Sequence, residues 1–185
     1  AVDLGGQERQ LLAKATGGAR TRGVMIVLHG GGDNFTNWCS DAVTYQQWQF
    51  ARDAIEQGYA VIALDSTDNT LLDDWDQNCG KRFDTASAIQ DNIDLPFVEW
   101  ILDRFIPSLR PPNSSENVFV TGLSNGGVMT TRIATHFDDR ITAFVPVSAS
   151  DPYGTQLNCD NTLGPRLEAP GGFIDRETGL GIQNV

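Results

Sequence analysis

The chain has 185 residues, with 24 acidic against 13 basic side chains and a formal net charge of −11. That length suits one domain with a sizeable core, and so acidic a chain (pI near 4.4) argues against nucleic acid or an anionic membrane as partner, because like charge repels both. No apolar run approaches the ~20 residues of a membrane span, no stretch reads as a signal peptide, and the start at Ala1-Val2-Asp3 reads as a processed or trimmed terminus.

Residues 7–15 suit a strand or a helix by composition. Their place before Gly17-Gly18 and a buried apolar run favours a strand in an edge hairpin. Val24-Met25-Ile26-Val27-Leu28 reads as a fully buried strand and runs straight into His29-Gly30-Gly31-Gly32. A helix is expected over 45–57, with Trp48, Ala51 and Ile55 on one face and Gly58 as its stop signal. Residues 59–64 form the next buried strand, ended by Asp65-Ser66. The segment 67–84 carries Asp68, Asp73, Asp74, Asp76 and Asp84 around Trp75 in a spacing that matches no EF-hand loop, so a solvated loop is expected. A helix follows over 92–105, striped by Val98, Ile101, Leu102 and Phe105, with Pro96 in its first turn and Pro107, Pro111 and Pro112 ending it.

The chain is organised around Val118-Phe119-Val120-Thr121-Gly122-Leu123-Ser124-Asn125-Gly126-Gly127. A β-branched and aromatic strand enters Gly-x-Ser-x-Gly, and a helical run to about His136 leaves it. This is the context of a nucleophile elbow, in which a sharp turn holds a serine off the end of a sheet. Glycines belong at 122 and 126 because a Cβ there would strike neighbouring backbone. A serine in this place could also simply cap the helix. Residues 141–147 give the sixth strand in this count, and from Asp151 onward glycines and prolines break the pattern into a loop-rich tail. Strands alternating with helices over buried runs imply an α/β fold with a mostly parallel sheet, and a single domain over 1–185.

These residues resemble a known group. Leu28-His29-Gly30-Gly31-Gly32-Asp33-Asn34, Gly122-Leu123-Ser124-Asn125-Gly126-Gly127-Val128-Met129 and Phe144-Val145-Pro146-Val147-Ser148 are similar to the polyhydroxybutyrate depolymerase and feruloyl esterase branch of the α/β-hydrolase fold. The two motifs stand in the family's order, about ninety residues apart. The resemblance implies a secreted serine carboxylic-ester hydrolase without a cofactor, acting on polymeric or aromatic esters through an acyl-enzyme. It implies Ser124 as nucleophile and an oxyanion hole formed by the amides of Asn125 and of Gly31 or Gly32. Trp38 then lines the acyl pocket or covers the core edge. For a secreted esterase a Cys39–Cys79 disulfide is implied, leaving Cys159 as a buried thiol or one without its partner.

The catalytic inventory then runs short. A serine hydroxyl needs a base to take its proton, and in this fold the acid and histidine follow the serine. The chain has two histidines. His29 lies in the glycine loop, and His136 lies twelve residues past Ser124 on a helix, about 18 Å away at 1.5 Å per residue. Asp151, directly after the sixth strand, is the candidate acid, against the ordinary reading of an Asp-Pro turn. The histidine and the final strands are therefore expected outside these residues, with a second chain or symmetry mate covering the open sheet edge. The competing expectation is a non-catalytic relative serving as a binding module.

Overall fold

In a computed structural model of the protein, the described residues are 1–15, 22–40, 47–66, 83–84 and 92–149, with two short paired strands, β8 (Ile174–Asp175) and β9 (Leu180–Gly181). The apolar runs of the sequence form the centre of a five-stranded sheet. In it β4 (Gly23–Leu28) lies between β5 (Tyr59–Leu64) and β6 (Val118–Leu123), and β7 (Ala143–Val147) follows β6. These four strands are parallel, with Val24 opposite both Ala60 and Val118, and Phe119 opposite Ala143. A strand covered on both faces has no polar side, which is why β4, β5 and β6 read as continuous apolar runs.

The N-terminal segment departs from the expected hairpin. β1 (Val2–Leu4) pairs with β2 (Gln7–Arg9), and the chain breaks at Gln10. β3 (Leu11–Lys14) then runs antiparallel to β5, Leu11 opposite Leu64, so it edges the sheet one strand away from β4. Arg9 accounts for the break: it is buried at 2% exposure, paired with Asp94, and lies over the Phe97 ring 4.7 Å from its centroid. β2 is thus drawn onto a helix and not into the sheet.

Helices cover the sheet unequally. On one face Ile26, Leu28, Ile62 and Val120 meet Phe97, Val98 and Ile101 of the 95–109 helical segment and Met129 and Ile133 of α4 (Asn125–His136). Each such fully buried aliphatic contributes about 1.5–3 kcal/mol relative to exposure. On the opposite face α1 (Gln47–Glu56) and a short 3-10 turn (Phe35–Trp38) bury Val27, Val61 and Ala63.

The helical segment does not stop at Pro107 as expected. α2 (Leu95–Trp100) widens into a π-helical turn (Ile101–Phe105), in which the Ile106 N–H reaches the Ile101 carbonyl, and then closes as α3 (Ile106–Leu109). Pro107 lacks an N–H, and just past a widened turn that loss is tolerated as it is in a helix's first turn.

The last strand also starts later than expected, because Ile141 N–H still bonds the Phe137 carbonyl at the end of α4 (3.0 Å). All of β7 is exposed, including Phe144 (46%), Val145 (59%) and Val147 (43%). Among the described residues no helix is long and apolar enough to cross a membrane.

Candidate active site

Ser124 stands between β6 and α4 with φ 54 and ψ −115. A side chain at positive φ meets its own backbone, and such strain costs of order 1–3 kcal/mol unless the surroundings impose it. Here they do. A Cβ on Gly122 would come 2.4 Å from the Gly126 carbonyl oxygen, and one on Gly126 would come 2.3 Å from that of His29. A Cβ on Gly127 would lie 2.8 Å from that of Ala149. The start of α4 is therefore pressed onto β6, the glycine loop and the end of β7, and the chain between has one way to turn. Ser124 N–H donates to the Val147 carbonyl (2.9 Å), fastening the turn to the neighbouring strand.

The serine does not cap its helix. Ser124 occupies the N-cap position, yet its side chain makes no capping hydrogen bond, and the residue is exposed. A helix-capping serine has extended backbone and an oxygen bonded to the first-turn amides. This one has neither.

Facing it is the glycine loop. The Asp33 N–H closes a turn onto the Gly30 carbonyl (3.2 Å), with Gly32 at φ 82, and Gly31 and Gly32 exposed at its tip. Gly30 is the loop residue against the elbow. A Cβ on it would lie 3.8 Å from the Ser124 Cβ and 3.3 Å from a carboxylate oxygen of Asp33. The structure thus brings the loop and the serine together, with Gly31 and Gly32 one and two residues beyond the contact.

His29 is fully buried, and both of its ring nitrogens are engaged. Ser66 N–H donates to Nε2 (3.1 Å), so Nδ1 carries the proton and donates it to the Gly30 carbonyl (2.6 Å). A carboxylate oxygen of Asp65 is the longer contact of Nε2, at 3.4 Å. His29 shapes the loop and cannot serve as a base. His136 closes the twelve-residue α4 at the end away from Ser124.

Other expectations fall as follows. Trp38 is 6% exposed among Val27, Ala51, Ile55 and Val61, a place at the core edge. Cys39 carries a free thiol on an exposed residue, partly shielded from water by its neighbours; that partial desolvation raises its pKa, with Lys14 pulling the other way. Cys79, Cys159 and Asp151 lie outside the described residues. Asp84, expected in a solvated loop, instead takes the Ile93 N–H on its carboxylate (2.9 Å) and the Asn92 side-chain amide on its carbonyl (2.9 Å). No metal-binding cluster occurs among the described residues.

Sequence reading missed one contact. The Asn125 side chain takes the Phe83 N–H on Oδ1 (2.7 Å) and gives Nδ2–H to the Phe83 carbonyl (3.0 Å). The isolated Phe83-Asp84 pair carries no periodicity that could have announced it.

No family model matches the sequence, and no curated protein matches it. Solved structures do match. An acetyl xylan esterase from Aspergillus awamori superposes with TM-score 0.61 at 16% identity, over 86% of this chain and 53% of that one. The chain has the α/β-hydrolase fold. A carboxylesterase structure from Nitrososphaera gargenis matches this chain with TM-score 0.52 and 17% identity, over 84% of this chain and 47% of that one. A fluorophosphonate-binding serine hydrolase of Staphylococcus aureus matches with 0.50 and 15%, over 76% and 57%. The chain therefore spans about half the length of the solved α/β-hydrolase structures it matches.

Proposed function

We propose that this chain is the nucleophile-bearing part of a serine carboxylic-ester hydrolase. One observation carries the reading: Ser124 is held at positive φ, exposed and free of any capping bond, against a glycine loop. Strain of this kind persists only where surrounding structure enforces it, and it concentrates at reactive groups. The esterases among the structural neighbours support the fold on which the chemistry is placed.

In this reading Ser124 Oγ attacks the ester carbonyl, and the oxyanion accepts hydrogen bonds from the Asn125 amide and from Gly31 or Gly32. The alcohol leaves with a proton as the C–O bond breaks, and water then cleaves the acyl-enzyme to acid and free serine. The resemblance noted in the sequence supports hydroxyalkanoate polyesters, feruloyl esters or acetylated sugars as substrates. Neither His29 nor His136 is placed to take the Ser124 proton, so this reading requires a base from outside the described residues. A second chain or symmetry mate is proposed to cover β7, whose five residues are all exposed.

The test is reaction with a fluorophosphonate probe, first of these 185 residues alone and then of the intact native protein. Labelling of the intact protein that Ser124→Ala removes supports the reading. An intact protein that binds its ligand but leaves Ser124 unlabelled refutes it in favour of a non-catalytic binding module. That second reading is favoured by the buried, fully bonded state of His29 and the distant place of His136.

A further inference from the structure

The residue after a nucleophile has one established task in such a turn, to offer its backbone amide. At Asn125 the side chain is committed as well. Both ends of its amide face one backbone unit, that of Phe83, accepting at 2.7 Å and donating at 3.0 Å. Only a carboxamide can both accept and donate in one plane: aspartate cannot donate, and glutamine places the group one methylene too far.

Phe83 is itself fixed from both sides. Its ring is 3% exposed and lies on the His29 imidazole, with centroids 4.7 Å apart. Its neighbour Asp84 is tied to the start of α2, giving its N–H to the Asp94 carboxylate (2.6 Å) and taking the Ile93 N–H on its own (2.9 Å). From His29 the connection runs through Nδ1–H to the Gly30 carbonyl, where the turn to Asp33 begins. The unbroken sequence is therefore Asn125 amide, Phe83 backbone, Phe83 ring, His29 ring, Gly30 carbonyl. It starts at the elbow and returns to the loop that faces the elbow.

We propose that the Asn125 side chain is a positioning residue, which sets the glycine loop at its working distance from Ser124 through Phe83 and His29. The proposal rests on the reading of Ser124 as a nucleophile. Donor placement is the sensitive quantity in oxyanion stabilisation, since a displacement near 1 Å can cost about a hundredfold in rate. The clamp fixes that placement without touching substrate.

Two readouts on the intact protein test it, and neither needs turnover. They are the His29 Nδ1–H resonance and hydrogen exchange of the Ser66 amide, which is bonded to His29 Nε2. In Asn125→Ala the resonance should shift or broaden, and Ser66 exchange should accelerate at least tenfold, while Ile26 and Val27 amides of β4 keep their protection. Asn125→Asp, which keeps the acceptor and loses the donor, should fall between, whereas a residue with only a bulk role would be rescued by it fully. Should Asn125→Ala fail to fold, Phe83→Leu leaves the backbone contacts and removes the ring, and the same changes are expected. A folded variant of either kind with both readouts unchanged overturns the proposal. In the intact protein, Asn125→Ala should also slow fluorophosphonate labelling of Ser124 at least tenfold. Wild-type protein that never labels refutes the esterase reading alone, because the resonance and exchange results still decide the clamp.

Discussion

Replacing Gly126 by alanine should be strongly destabilising. The new Cβ would lie 2.3 Å from the His29 carbonyl oxygen, 2.7 Å from that of Leu28 and 2.9 Å from the Leu28 carbonyl carbon, where real Cβ atoms essentially never come within 3.0 Å. All three are backbone atoms of β4 and its exit, and β4 is the central strand, so no side chain can swing away. Relief requires α4 to retreat from the sheet by nearly an ångström, opening its contacts through Met129 and Ile133, both fully buried. Overpacking costs typically about 1–3 kcal/mol, and a clash with immovable backbone belongs at or above the upper end. At roughly 2–4 °C per kcal/mol for a chain of this size, ~3 kcal/mol lowers Tm by about 6–12 °C. Thermal unfolding followed by circular dichroism measures it against the unsubstituted chain. Gly126→Ala unfolding within about a degree of wild type would show that the close approach of α4 to the glycine loop is misplaced.

Ser124→Gly should stabilise the chain by about 1 kcal/mol while abolishing fluorophosphonate reaction, because glycine relieves the positive φ at some entropic cost; an unchanged or lower Tm would mean the turn carries no strain. Burial raises the Cys39 pKa, so its thiol stays protonated to higher pH and should react with iodoacetamide more slowly than a cysteine peptide near the ordinary thiol pKa; equal rates would contradict this. Val145→Lys, placed on the most exposed of the large apolar side chains of β7, should reduce concentration-dependent self-association in sedimentation velocity, and a chain already monomeric without the lysine would show the edge to be harmless.

The sequence disclosed most where one residue type had no alternative use. Gly122, Ser124 and Gly126 could be placed because strand, turn and helix each carry their own periodicity, and the glycines reported a close approach that the structure reproduces. Buried strands at 24–28 and 59–64 were equally legible, being apolar on both faces. The departures share a cause, since each depends on a partner distant in sequence. β3 joins β5 and not β4, Arg9 pulls β2 toward Asp94 across 85 positions, and Asn125 spends its amide on Phe83, 42 positions away. Pro107 misled in a different way, because a proline read as a stop is tolerated once the preceding turn has widened.

The hydrogen bond from Ser124 N–H to the Val147 carbonyl has a practical consequence for anyone storing or heating this protein. Among the described residues it moors the elbow to an edge strand of the sheet, which has a neighbour on one side only. Peripheral strands open at lower free energy than central ones. Gentle warming should therefore silence probe uptake while far-ultraviolet signals still report a native chain, so inactivation and melting are two events with separate midpoints.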